Sequence, residues 1–188
     1  MHTTRDLLLD AAADAVLSGA AWDRVRMADV ARAAGVSRQT LYYEFGSRDA
    51  LAQALAMREA ERYMAGAEAA RVGHEGTPGQ ALAASTEFTL REAASNPLLK
   101  AVLTDDSGGL LPFLTTRSEA LLTAARERCA AYLSEQWPDL PAEPVAFVAD
   151  TVIRLTLSHL VLPGARPEQV AADIAHLVDS LLPGSATA

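Results

Sequence analysis

Between Ser37 and Arg48 the sequence gathers side chains that hydrogen-bond well to nucleic acid, all within about three helical turns. Arg38 can grip guanine through two parallel hydrogen bonds, Gln39 can do the same with adenine, and Thr40 can reach a base or a phosphate. Tyr42 and Tyr43 follow. Phenols on a solvated helix face suit a hydroxyl-to-phosphate bond with the ring on sugar or a thymine methyl. One of the two is expected to be partly buried against the first helix. Arg48 adds a cation where the next helix begins, beside backbone N–H groups that already favour phosphate.

Other chemistries find no matching constellation. The four histidines, His2, His74, His159 and His176, have no metal-ligand spacing, and Cys129 is the only cysteine, so neither a metal site nor an internal disulfide is expected. Cys129 reads as a small buried residue. No Ser-His-Asp arrangement, phosphate loop or dinucleotide fingerprint can be read, and Asp105-Asp106 ahead of Ser107-Gly108-Gly109 reads as a solvated loop. No cofactor and no enzymatic activity are therefore expected. Turnover of a metabolite by protein that does not shift DNA would favour the opposite. A module that binds protein instead of DNA is the other alternative, and salt dependence separates the two, because DNA binding releases counterions.

Side chains read a groove only when their helix is held outward. The stretch Met27-Ala-Asp-Val-Ala-Arg-Ala-Ala-Gly-Val-Ser-Arg-Gln-Thr-Leu-Tyr-Tyr-Glu-Phe45 has the parts for this. Ala31 is small enough for a helix crossing, Gly35 tolerates a left-handed turn, and Ser37 caps the next helix. Val30, Ala34, Val36 and Leu41 form the shared core, leaving the first turn after Ser37 free to enter a major groove.

The rest of the chain follows a helical period almost throughout, with Gly and Pro between periodic runs, and predicts an all-α fold of about nine helices. The expected spans are about 4–17, 27–34, 38–45, 47–70, 79–95, 97–104, 112–136, 143–162 and 167–182. Residues 73–79 are the clearest linker, and the tail from Gly184 is expected to fray.

Charge is distributed to match. The 188 residues carry a net charge of −8, yet residues 24–48 hold five arginines against Asp29 and Glu44, a local +3. Residues 63–188 hold −7. A basic patch on an acidic body favours one docking face for a polyanion. Charged residues interrupt every long apolar run, so no membrane span is expected, and the N-terminus lacks the pattern of a signal peptide. The cytoplasm is the expected compartment.

The run Ala34-Gly35-Val36-Ser37, a small-polar pair, Leu41-Tyr42-Tyr43-Glu44-Phe45 and Ser47-Arg48-Asp49 resembles the signature of the TetR family, and the match extends over residues 5–58. The resemblance implies an N-terminal three-helix, helix-turn-helix DNA-binding domain over residues 1–46. It also implies a C-terminal helical ligand-binding and dimerisation domain over residues 47–188. The partners it implies are double-stranded operator DNA, a second copy of the chain and a small-molecule effector, most often with repression relieved by the effector. By position, Ser37, Arg38, Gln39, Thr40, Tyr42, Tyr43 and Arg48 fall at the family's DNA-contacting places. Two departures stand out: Arg26-Met27 where many members have a phosphate-contacting Thr, and Gly46 where Lys is frequent.

Within the C-terminal part, Val148, Val152, Leu155 and His159 recur along one helix side and Ile174, Leu177, Val178 and Leu181 along another, which predicts a four-helix homodimer interface. Tyr63, Phe88, Leu99, Leu103, Phe113, Leu114, Tyr132 and Phe147 are the candidate ligand-binding residues, although core packing uses the same types. Few charges interrupt those faces, so the expected effector is apolar or amphipathic, lipid-like or a hydrophobic drug. Several charges converging on the pocket would overturn that expectation.

Overall fold

The structure, a computed structural model, describes residues 2–72, 76–104 and 119–182, with the side chains of residues 101–104 outside that description. Its described helices are α1 (Thr4–Leu17), α2 (Met27–Ala33), α3 (Arg38–Phe45), α4 (Arg48–Arg71), α5 (Pro78–Ser95), α6 (Pro97–Thr104), α7 (Glu119–Gln136), α8 (Ala142–Val161) and α9 (Pro167–Leu181). A short 3-10 turn, Trp22–Arg24, joins α1 to α2. Among the described residues there are no strands, as the helical periodicity requires. His74, the loop expected at 105–111 and the helix start expected at 112 lie outside the described residues.

The chain falls into two compact units, Met1–Ala60 with Asn96–Ser118 and Glu61–Ser95 with Glu119–Ala188. The first therefore extends past the boundary expected at residue 46. The reason is packing: Leu51, Ala52 and Leu55 of α4 are buried in the same core as Leu8, Val30 and Leu41.

Local sequence fixes the ends of the first unit's helices. The Thr3 hydroxyl accepts the Asp6 N–H at 3.1 Å while the Asp6 carboxylate accepts the Thr3 N–H at 2.9 Å, a reciprocal cap that starts α1. After α2, Gly35 N–H donates to the Arg32 carbonyl and Val36 N–H to the Ala31 carbonyl, both at 2.9–3.1 Å. That pair of bonds needs a left-handed residue, and Gly35 supplies it at φ +69°. The turn swings α3 across α2, and Leu41, with no exposed surface, locks it down. Burying a leucine this fully contributes roughly 1.5–3 kcal/mol.

In the second unit α5 lies along α9, while α8 packs against α7 and α5. The first turn of α5 is pinned by Asp179, whose carboxylate accepts the Gly79 N–H and the Thr77 hydroxyl, each at 2.9 Å. A Cβ on Gly79 would collide with the Ala175 carbonyl and this carboxylate, so only glycine permits the approach.

The expected dimer rows divide in two. Val148, Val152, Ile174 and Val178 are at most 3% exposed and belong to the core of a single chain, together with Val145, Val170 and Leu182. A side chain already out of water has no surface left for a partner, so these four are corrected to intramolecular core. Leu155 and Leu181 are exposed and His159 and Leu177 half-buried; Leu155, His159 and Leu177 line one shallow groove between α8 and α9. The expectation of no membrane-length stretch is also corrected: α8 is long and apolar enough to cross a membrane by length and composition alone, with a mean hydropathy of 1.3. Its Val145–Val148–Ala149–Val152 side is core, and 22% of the apolar stretch is buried.

Candidate nucleic-acid interface

α3 is held by Leu41 and Phe45, both buried, and presents its remaining side chains to solvent. Ser37, Arg38 and Gln39 are exposed, Thr40 is half-buried and Tyr43 is 88% exposed. Tyr42 is 43% exposed and lines a groove with Val25 and Met27, so neither phenol is buried against α1 as expected. The Arg38 guanidinium lies 6.0 Å from the Tyr42 ring centroid, which steadies a long side chain over the helix start.

The hydroxyls at the start of α3 are already engaged. Ser37 Oγ accepts the Thr40 N–H at 3.0 Å and lies 2.8 Å from Thr40 Oγ1. Both residues thus anchor the helix that displays Arg38 and Gln39. At the other end, Arg5 sits 4.5 Å over the Phe45 ring and donates to the Glu44 carbonyl at 3.4 Å, placing a cation at the negative end of α3.

Arg24, Arg26, Arg38 and Arg48 line one concave surface with Tyr42 and Asp23. Arg48 is partly committed, since its Nη1 donates to the Asp23 carbonyl at 2.6 Å and ties the start of α4 to the 3-10 turn. Arg24 and Arg26 are exposed and, among the described residues, make no ion pair. Sequence reasoning counted both towards the basic run but placed neither among the DNA-contacting residues; four guanidiniums converging on one concavity make them candidates for phosphate neutralisation. Met27, where a phosphate-contacting hydroxyl was missed from the pattern, is buried.

The second unit holds a cavity of about 60 Å³ bounded by α4, α5, α7 and α8. Of the expected ligand residues whose side chains are described, Tyr63, Phe88, Leu99, Tyr132 and Phe147, none is on its wall. Leu103, Phe113 and Leu114 lie outside the described side chains, Leu99 is buried in the first unit, and Phe147 is 60% exposed. Phe88 packs its ring against Gly66, Tyr63 is half-buried on α4, and Tyr132 stands behind the wall, stacked on Arg71 at 4.1 Å. The wall itself mixes Leu82, Val152 and Ile153 with the hydroxyls of Ser85, Thr86 and Thr156 and with Glu68, Arg71 and Arg128. Three charged residues on the wall overturn the expectation of an apolar or lipid-like occupant drawn from the sequence; a ligand for this cavity must carry a polar or charged group of its own.

Cys129 also borders this cavity, and burial pushes its thiol up to about 11, with Arg71 opposing the shift. It is therefore a neutral thiol at physiological pH. Burial raises the Tyr132 phenol as well.

Known proteins agree with the geometry. Residues 8–55 match the family model of bacterial regulatory proteins of the tetR family, and residues 78–180 match that of the bacterial tetracyclin repressor C-terminal domain. The HTH-type transcriptional regulator AlkX of Mycobacterium tuberculosis is 35% identical over 175 residues, covering 93% of this chain and 82% of that protein. The crystal structure of AlkX from a Dietzia strain, described as a TetR family repressor implicated in biodegradation of n-alkanes, superposes with a TM-score of 0.76 at 33% identity, covering 95% of both chains. The Rhodococcus erythropolis repressor QsdR shares the fold at 21% identity, TM-score 0.65, covering 95% of this chain and 94% of its own.

Proposed function

The chain belongs to the TetR family of bacterial transcriptional regulators, and from that premise we propose that it is a cytoplasmic repressor. It binds a palindromic operator as a homodimer and is released by a small amphipathic effector. The observation that carries the reading is the display of Arg38, Gln39 and Tyr43 on a capped helix, beside a groove lined by four arginines. Arg38 and Gln39 read base edges, Tyr43 takes a phosphate or sugar, and Arg24, Arg26 and Arg48 neutralise backbone. Ser37 and Thr40 hold the helix start and touch the backbone from there.

One eight-residue helix buries too little surface for tight specific binding, so two copies read half-sites about one helical turn apart. The half-exposed row Leu155, His159, Leu177 and Leu181 is the surface through which α8 and α9 meet their counterparts. Repression is the role named for the Dietzia relative. Release follows as a population shift. α4 runs from Arg48, at the DNA groove, to Arg71, at the cavity wall, and an effector that prefers one position of α4 moves the recognition helices out of register with successive major grooves.

Selection of bound sequences from random DNA tests this reading. An inverted repeat should emerge with wild-type protein, and Arg38→Ala should lose base preference at one position in each half-site. Recovery of no enriched sequence by folded, dimeric protein would overturn it.

A further inference from the structure

The second unit carries a nearly buried charge that has no ion-pair partner among the described residues. Arg71 closes α4 and is only 6% exposed, yet among the described residues no carboxylate lies within ion-pair distance of its guanidinium. Its resolved contact is the Tyr132 ring, 4.1 Å from the guanidinium carbon, with the Tyr132 hydroxyl donating to Arg71's own carbonyl at 3.3 Å. The nearby acids are spoken for. Glu68, three residues earlier on the same helix, is 3.7 Å from Arg128, and Glu61 is 2.7 Å from it. Cys129 and Tyr132 are both neutral at physiological pH because burial raises them. A nearly buried guanidinium that lines a cavity and has no carboxylate partner among the described residues is set to take an acceptor from whatever occupies that cavity.

Arg71 lines the 60 Å³ cavity, and so do the hydroxyls of Ser85, Thr86 and Thr156. Thr86 and Thr156 already lie 3.4 Å apart, across α5 and α8. The far wall is apolar, from Leu82, Val152 and Ile153. We propose that this cavity takes the head group of a carboxylate-bearing small molecule, with Arg71 as its counter-ion, the hydroxyl proton left free by the Thr86–Thr156 pair as a further donor, and the apolar wall against the first carbons. The volume suits a head group and a few carbons, being well below the roughly 150 Å³ that holds a benzene ring. Planar guanidinium matches planar carboxylate through two parallel bonds, whereas an alcohol or ester of the same size leaves donors unpaired. The inference rests on the effector reading above and names its ligand class.

The test uses the full-length dimer with sodium salts of butanoate, hexanoate, octanoate and benzoate, each beside the matching alcohol. Calorimetric affinity and release from the selected operator are both read. At least one carboxylate should bind saturably, about tenfold or more tighter than its alcohol, and release DNA at the same concentration. Arg71→Gln should erase the acid-over-alcohol preference, and Arg71→Lys should retain part of it. The wild-type preference needs no variant, so misfolding of Arg71→Gln leaves the test intact. No preference for any acid in wild-type protein that binds operator, or a preference that survives Arg71→Gln, overturns the inference while the regulator reading stands. Carboxylate binding by protein that recognises no DNA does the reverse.

Discussion

Arg26→Ala separates phosphate neutralisation from base reading. Arg26 is exposed at the start of α2, lines the groove with Arg38 and Tyr42, and makes no ion pair among the described residues, so its removal should leave the fold untouched. Each phosphate neutralised contributes about 0.9 to the slope of log affinity against log salt. A homodimer loses two such contacts, so the slope should become shallower by about 1.8. Between about 50 and 200 mM salt, wild type should then lose about tenfold more affinity than the variant. Fluorescence anisotropy on the selected operator across that range measures it, with Arg166→Ala, an exposed position in the second unit, as a control that leaves the slope unchanged. Base preference should survive Arg26→Ala. An unchanged slope in folded, dimeric variant would refute the assignment of the arginine groove to the DNA backbone.

Three further outcomes follow from the second unit. Asp179→Ala strands the Thr77 hydroxyl and Gly79 N–H at the start of α5 and should cost roughly 1–3 kcal/mol, read from the urea midpoint. Leu155→Glu combined with Leu177→Glu places charges on the exposed α8 and α9 row; light scattering should show monomer with helical content retained, and a persisting dimer would exclude this surface. Cys129, buried with its thiol raised to about 11, should react with iodoacetamide at pH 8 far more slowly than in urea-unfolded protein; fast labelling of native protein would contradict its burial.

What the sequence made legible and what it hid have separate physical causes. Caps and turns are local: Ser37 and Gly35 act on backbone atoms a few residues away, so the bounds of α2 and α3, and the exposure of Arg38, Gln39 and Tyr43, could be read directly. Arg24 and Arg26 were visible only as charge, because their convergence with Arg38 depends on how the 3-10 turn folds back beside α3. Their signal was the basic run itself, and it could have been read as a groove.

Helices with two apolar rows are harder. α8 carries Val145, Val148 and Val152 on one row and Leu155 with His159 on another, and hydrophobicity alone does not say which row faces inward. The choice is made by α5, α7 and α9, whose Leu82, Leu133 and Ile174 fill the space beside the valines. The described candidate ligand residues lie off the cavity wall for a related reason. Large aromatic and aliphatic side chains fill space, so Phe88 packs against Gly66 and Tyr132 stands behind Arg71, and the space left over is bordered by small hydroxyls and charges. A search for a cavity by its bulkiest residues therefore finds the core around it. The sharper signal is a charged residue buried on a helix face: Arg71 is 6% exposed, and Glu68, the acid one turn before it, lies instead beside Arg128.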